Sequence, residues 1–308
     1  MRKAFVRKMM EQVSRDPKTI LLTGDLGFSA FEPFAEKFPD NFINAGIAEQ
    51  NMAGIAAGLA MDGRRVFVYS IGNFPTLRCL EQWRNDICYH NLPVTAVVNG
   101  GGMAYGYLGM SHHATEDLSV LRTLPGMIVT APADPVELDK CFDYICSSSS
   151  PGYLRLCRGG ERMLHSGLAD FSAPRLCPLY KNDKSDTAIV MCGEIASMFD
   201  KIVLALEAEN ICADIYSSPF VKPLPDLAVL LSGCYRMCVT VEENSVIGGF
   251  SGAIAEQFAG CVQHPLLVKI GLPDQYCNIT GNHDFMRKIT GLSVDGIVRQ
   301  IKEKRQNL

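Results

Sequence analysis

The stretch AGIAEQNMAGIAAGLAMDGRRVFVYS, residues 45–70, decides the fold. Ala48–Met61 reads as a helix built of small residues, and Asp62-Gly63 closes it. Val66–Tyr69 then reads as a strand, a short apolar run directly after a turn. A helix feeding such a strand is half of an α/β repeat, and the repeat extends in both directions. Upstream, Ile20–Thr23 is a strand ending at Gly24-Asp25. Downstream, a helix from about Thr76 to Tyr89 precedes the strand Pro93–Val98, which runs into Asn99-Gly100-Gly101-Gly102. Thr115–Thr123 and Pro135–Cys146 read as helices, Met127–Thr130 and Tyr153–Leu156 as strands. Such alternation argues for a mostly parallel sheet covered on both faces.

The pattern breaks over 159–186, where Gly159-Gly160, Pro174, Pro178 and the polar run Lys181–Asp186 read as a connector. It then restarts, with strands at Ala188–Met191, Cys212–Tyr216, Cys238–Val241 and Leu266–Ile270. Helices fall at Ile195–Ala208, Gly252–Phe258 and Val294–Lys304. The expectation is two α/β domains, 1–160 and 185–308, joined by a linker over 161–184.

Composition sets the class. Of the 308 residues 47% are hydrophobic and 20% charged, enough apolar material for packed cores and against disorder. The net charge of −4 excludes nucleic-acid binding through a general basic surface. No apolar run reaches the roughly 18–20 residues that span a bilayer, and the charged start, Met1-Arg2-Lys3, lacks a signal-peptide core. A soluble, cytoplasmic protein is expected. The twelve cysteines include no Cys-x-x-Cys and sit mostly in apolar stretches. They are read as buried free thiols rather than disulfides or metal ligands.

Three segments follow strands on the side where parallel sheets place their sites: Gly24-Asp25-Leu26, Gly46-Ile47-Ala48-Glu49-Gln50-Asn51, and Gly109–Asp117. The second, extended through Met52 to Ala60, resembles the catalytic-glutamate motif of the transketolase family. The resemblance recurs at Phe74, Glu81-Gln82-x-Arg84 and Asn91-Leu92-Pro93-Val94. It continues in Gly109-x-Ser111-His112-His113-Ala114-x-Glu116-Asp117, Arg122-x-Leu124-Pro125-Gly126-Met127 and Pro132-Ala133-Asp134-Pro135. Val241-Glu242-Glu243-Asn244 with Gly248-Gly249 resembles the family's C-terminal domain. The match runs through the whole chain in order. It is similar to the C-terminal subunit of split transketolases, in which one enzyme is divided between two polypeptides. The implied fold is a pyrimidine-type domain with a parallel sheet, then a smaller transketolase C-terminal α/β domain.

The resemblance implies thiamine diphosphate as cofactor and transfer of a two-carbon ketol unit between sugars or sugar phosphates. Glu49 would hydrogen-bond an aminopyrimidine nitrogen, so that the ring acts as its own base; a buried glutamate can share a proton in this way. Phe74 would stack on the pyrimidine, with Asp25 and Ile71 also at the cofactor. Arg2, Ser29 and Arg158 match phosphate-contacting positions, and arginine's fixed fork of donors suits a phosphate. His112 matches a substrate-contacting histidine, while His113 has no matching role. Read without the resemblance, Glu49 is an acid complementing a helix dipole. Phe74 is then a core aromatic, Arg2 a solvated charge and Ser111 a helix cap.

Two departures stand out. Gly100 replaces a histidine and Leu108 an aspartate that the family uses toward donor-sugar hydroxyls, so an unusual sugar is expected. The family binds the diphosphate and Mg²⁺ through a Gly-Asp-Gly motif, and this chain has none. Gly24-Asp25-Leu26 with Asn51 is only a near match, because Asn51 belongs to the glutamate motif. No metal ligand is therefore assigned here. The Mg²⁺ ligands, oxygen donors as a hard cation requires, are expected from an N-terminal, diphosphate-binding partner subunit in a heterotetramer. The alternatives are a 2-oxo acid dehydrogenase β-type subunit, and a non-catalytic regulatory subunit that keeps the fold.

Overall fold

The structure, a computed structural model, describes residues 1–159, 162–167 and 173–306. Gly160, Glu161 and 168–172, within or beside the expected linker, lie outside the described residues. The strands are β1 (Thr19–Thr23), β2 (Phe42–Asn44), β3 (Arg65–Ile71), β4 (Val94–Asn99), β5 (Ile128–Thr130), β6 (Gly152–Leu156), β7 (Cys177–Tyr180), β8 (Thr187–Cys192), β9 (Ala213–Ser217), β10 (Phe220–Lys222), β11 (Met237–Ser245) and β12 (Leu266–Leu272). They form a seven-stranded sheet, β10-β5-β6-β4-β3-β1-β2, and a five-stranded sheet, β12-β11-β8-β9-β7. Every pairing is parallel except β10 with β5 and β7 with β9.

The period-two geometry of a strand sorts its side chains into two cores. On β3, Val66 and Val68 face one core and Phe67 and Tyr69 the other. The first core takes Met52, Ala53, Ala56, Ala57 and Ala60 from the helix Glu49–Met61, whose small side chains let it lie close to the sheet. This core continues into the second sheet through Ala188, Val190 and Cys238. On the opposite face, Phe5, Val6, Met9 and Val13 of the helix Arg2–Arg15 cover Leu21, Phe67 and Tyr69. The other face of the second sheet, with Ile189, Met191, Val239 and Val241, has a core of its own.

Parallel register aligns the carboxyl ends. Thr23 pairs with Tyr69, Ile71 with Asn99, and Asn99 with Leu156. The loops after β1, β3, β4 and β6 therefore open on one edge of the first sheet.

The two halves interlock. β7 lies in the stretch read as linker and is a strand of the second sheet. β10, from the C-terminal half, closes the edge of the first sheet, and Ala131 donates its N–H to the Pro219 carbonyl at 2.8 Å beside it. Glu243 is buried between the halves. It accepts from the Met103 N–H at 2.9 Å and from Arg287 Nε at 2.9 Å, and lies 2.5 Å from His283 Nε2. Burial alone would raise its pKa, but the Arg287 and His283 charges and these hydrogen bonds hold it well below the usual carboxylate range. Gly102 permits this contact, since a Cβ there would stand 2.5 Å from Glu243 Cγ. Glu242 accepts from the N–H groups of Phe250 and Ser251, at 2.8 and 2.7 Å, and so caps the helix Phe250–Ala259. Both glutamates thus have structural work.

All twelve cysteines are free thiols, and seven of them are buried: Cys79, Cys88, Cys141, Cys157, Cys177, Cys192 and Cys238. Among the described residues no helix is long and apolar enough to cross a membrane.

Candidate active site

Glu49 is the first residue of its helix and is 5% exposed. Burying a carboxylate demands a partner, and Arg78 supplies one, its Nη1 donating to Glu49 Oε2 at 2.9 Å. Arg78 is positioned by the turn after β3. There the Phe74 N–H donates to the Ile71 carbonyl at 3.0 Å, and Thr76 Oγ1 donates to the Gly72 carbonyl at 2.9 Å. The same turn brings the Arg78 guanidinium over the Phe74 ring, 4.6 Å from its centroid. Phe74 also meets the His112 ring edge-on at 5.1 Å, and His112 Nδ1 lies 3.1 Å from Ser111 Oγ. Glu49, Arg78, Phe74 and His112 form one run of contacts at the carboxyl edge of the first sheet.

This run tests whether a flat nitrogen heterocycle fits. The Arg78 guanidinium is itself planar and bears N–H donors; it lies on an aromatic face while donating to a buried carboxylate. An aminopyrimidine presents the same combination of flat face and N–H donor. The residues present fit the pyrimidine end of thiamine diphosphate.

A second group lies on the same edge. Arg158, two residues beyond β6, sits between two tyrosines, 4.8 Å from the Tyr105 ring centroid and 4.7 Å from that of Tyr107. It donates to the Ala104 carbonyl at 3.2 Å and to the Tyr107 hydroxyl at 3.0 Å. Arg2 stands in the first turn of its helix. Among the described residues neither arginine has a carboxylate in ion-pair reach.

Asp25 adopts φ +57° just beyond β1. Its N–H donates to Asn44 Oδ1 at 2.9 Å, and Asn44 Nδ2 donates to Asp25 Oδ1 at 3.1 Å. Asn44 Oδ1 also accepts from the Gly46 N–H at 3.0 Å, tying Asp25 to the loop that leads into Glu49. Ser29, at φ +63°, donates its N–H to Glu32 Oε1 at 2.7 Å and is exposed. No hydrogen bond or ring contact among the described residues joins Asp25 or Ser29 to either group. His113 is buried, and desolvation lowers its pKa, leaving a neutral ring behind His112. Asp117 is fully buried, bonded to the Tyr153 hydroxyl and 3.4 Å from Arg155 Nε, so the end of its motif is structural. Arg78 and Asn44 were not singled out from the sequence; neither stands in a spacing that marks it.

A two-sheet α/β chain is thus defined, with Glu49, Arg78, Phe74 and His112 in one run of contacts and Arg158 held between two tyrosines. The chain belongs to the transketolase family: the family model described as "Transketolase, pyrimidine binding domain" matches residues 1–162, and "Transketolase, C-terminal domain" matches 179–297. It is 32% identical over 305 residues to the "Putative transketolase C-terminal section" of Methanocaldococcus jannaschii, covering 99% of this chain and 96% of that one. It is 30% identical over 306 residues to a subunit of the apulose-4-phosphate transketolase of Phocaeicola vulgatus, covering 98% and 96%. A solved structure titled "Split gene transketolase, inactive beta4 tetramer" superposes with a TM-score of 0.85 at 32% identity, covering 98% of this chain and 96% of that one.

Proposed function

We propose that this chain is the pyrimidine-binding subunit of a thiamine-diphosphate-dependent split transketolase acting on an uncommon sugar. One observation carries the reading: a buried carboxylate and an aromatic face hold a flat N–H donor between them at the carboxyl edge of a parallel sheet. When bound, thiamine diphosphate supplies the nucleophilic carbon that takes up a two-carbon unit.

The chain's own residues do the rest. Glu49 holds a proton at a pyrimidine nitrogen, and its burial keeps water from competing for it. Phe74 fixes the ring plane without consuming its hydrogen bonds. His112, in edge contact with Phe74, reaches sugar hydroxyls over the ring. Asp25, held by Asn44, braces the loop before Glu49. Arg2, Ser29 and Arg158 receive the far, anionic end of the sugar. The diphosphate and Mg²⁺ fall to a partner chain carrying Gly-Asp-Gly, so the working enzyme is a hetero-oligomer with the cofactor between subunits. The relative named for apulose 4-phosphate, together with Gly100 and Leu108, favours an uncommon substrate.

Reconstitution tests this reading. The purified chain is mixed with a diphosphate-binding subunit, thiamine diphosphate and Mg²⁺, and ketol transfer is followed. Transfer is expected only in the complete mixture. Transfer by the chain alone, or 2-oxo acid decarboxylation in place of transfer, overturns it.

A further inference from the structure

Tyr105 packs its ring where a side chain at position 100 would stand. A Cβ on Gly100, which has φ +78°, would lie 2.6 Å from Tyr105 Cε2 and 3.0 Å from Cδ2. The ring's placement explains the glycine, but a phenylalanine would fill that space equally well. The hydroxyl needs its own reason. It accepts from Asn99 Nδ2 at 2.7 Å, so its proton points elsewhere, and no acceptor for that proton is found among the described residues. Asn99 is the last residue of β4, and its Oδ1 is buried without a partner. Buried polar groups seldom stay unpaired. Two adjacent unspent groups at a strand's carboxyl end point to a missing ligand.

The surroundings define that ligand's charge. The Arg158 guanidinium lies on the Tyr105 ring, 4.8 Å from its centroid. A cation without a carboxylate partner, stacked beside one free O–H donor, selects an oxyanion. Asn99 orients the donor by occupying its lone pair.

Building on the sugar-transfer reading above, we propose that Tyr105 is the specificity residue of this subunit for sugars ending in a tetrahedral oxyanion, a phosphate or a sulfonate, and that Asn99 is its positioning residue.

The test uses the two-subunit enzyme with three matched ketoses ending in phosphate, sulfonate or a free hydroxyl. Tyr105→Phe keeps the ring on Gly100 and removes only the donor. It is expected to raise KM about 10- to 100-fold for an oxyanion-ended sugar, the usual range for a lost hydrogen bond to a charged group. The same variant should leave kcat within about twofold and the neutral sugar unaffected. Asn99→Ala should raise KM in the same direction but less. A rise for one oxyanion alone identifies the natural terminus. Unchanged KM for both oxyanion sugars, with ketol transfer intact, overturns the proposal and leaves the functional reading standing. If no ketol transfer is found with any sugar, inorganic phosphate titrated into the purified full chain decides it. Equal binding by wild type and Tyr105→Phe overturns the proposal, and weaker binding by the variant upholds it.

Discussion

Glu49 is the residue on which the proposed chemistry turns, and its environment separates chemistry from stability. A glutamine is nearly isosteric, still accepts from Arg78, and cannot hold the proton a pyrimidine nitrogen must share. Glu49→Gln in the assembled enzyme is therefore expected to lower turnover about 10²- to 10⁴-fold, the range for loss of a positioned acid or base. Subunit association, followed by analytical ultracentrifugation, should remain intact. Turnover within a few-fold of wild type would remove Glu49 from this role. At this scale the sequence was partly legible. Glu49, Phe74 and His112 stand in motifs and converge at one edge of the sheet. Arg78 and Asn44 do not stand in motifs, because their importance lies in what folding brings beside them: a buried carboxylate for one, and two backbone N–H groups for the other.

Among the elements, the helix Pro135–Cys146 shows how a cap can organise a neighbouring segment. Asp134 accepts from the Glu137 N–H at 2.8 Å, an ordinary N-cap. Its other oxygen accepts from the N–H groups of Leu164 and His165, at 2.8 and 3.0 Å, and His165 Nε2 lies 3.0 Å from Glu137 Oε1. Burial disfavours the charged imidazole, but the hydrogen bond and the Glu137 and Asp134 charges outweigh it and raise the pKa above 6.5. A raised pKa contributes stability fully below the unfolded value of about 6.5 and loses it as pH climbs through the folded value. Thermal stability should therefore decline as pH rises above that point, and His165→Gln should flatten the decline. An NMR titration of His165 with its midpoint at or below 6.5 would contradict this. Element legibility followed length and pattern. Strands with long apolar content, such as β4 with four apolar residues and β8 with five, declare themselves. β2 and β10, three residues each, carry too little periodicity to register. In the helix Arg2–Arg15, Phe5, Met9 and Val13 form a stripe at helical spacing, but the many charges between them mask it in the sequence. The helix expected from Thr76 to Tyr89 forms over 77–88, tight at its start and wide over Trp83–Cys88.

For the molecule as a whole, the two α/β halves interlock, because β10 of the C-terminal half completes the first sheet. Alternation within each half shows in the sequence; the exchange of β10 does not, since nothing local tells a strand which sheet it will join. The buried Glu243 cluster strengthens the junction. Removing one partner of a buried ion pair costs about 3–5 kcal/mol, so Glu243→Ala should lower the unfolding midpoint of both halves together. Two separate transitions in calorimetry, with only one displaced, would show the halves to be independent. A fragment ending before β10 would leave the β5 edge unpaired. That edge also limits how a gene for such an enzyme can be divided. A break between the two domains strands Phe220–Lys222 in one product and its sheet in the other. The relatives from Methanocaldococcus jannaschii and Phocaeicola vulgatus, which align with this chain over 96% of their own length, keep both domains on one polypeptide. A three-residue strand thus ties the two domains to one polypeptide.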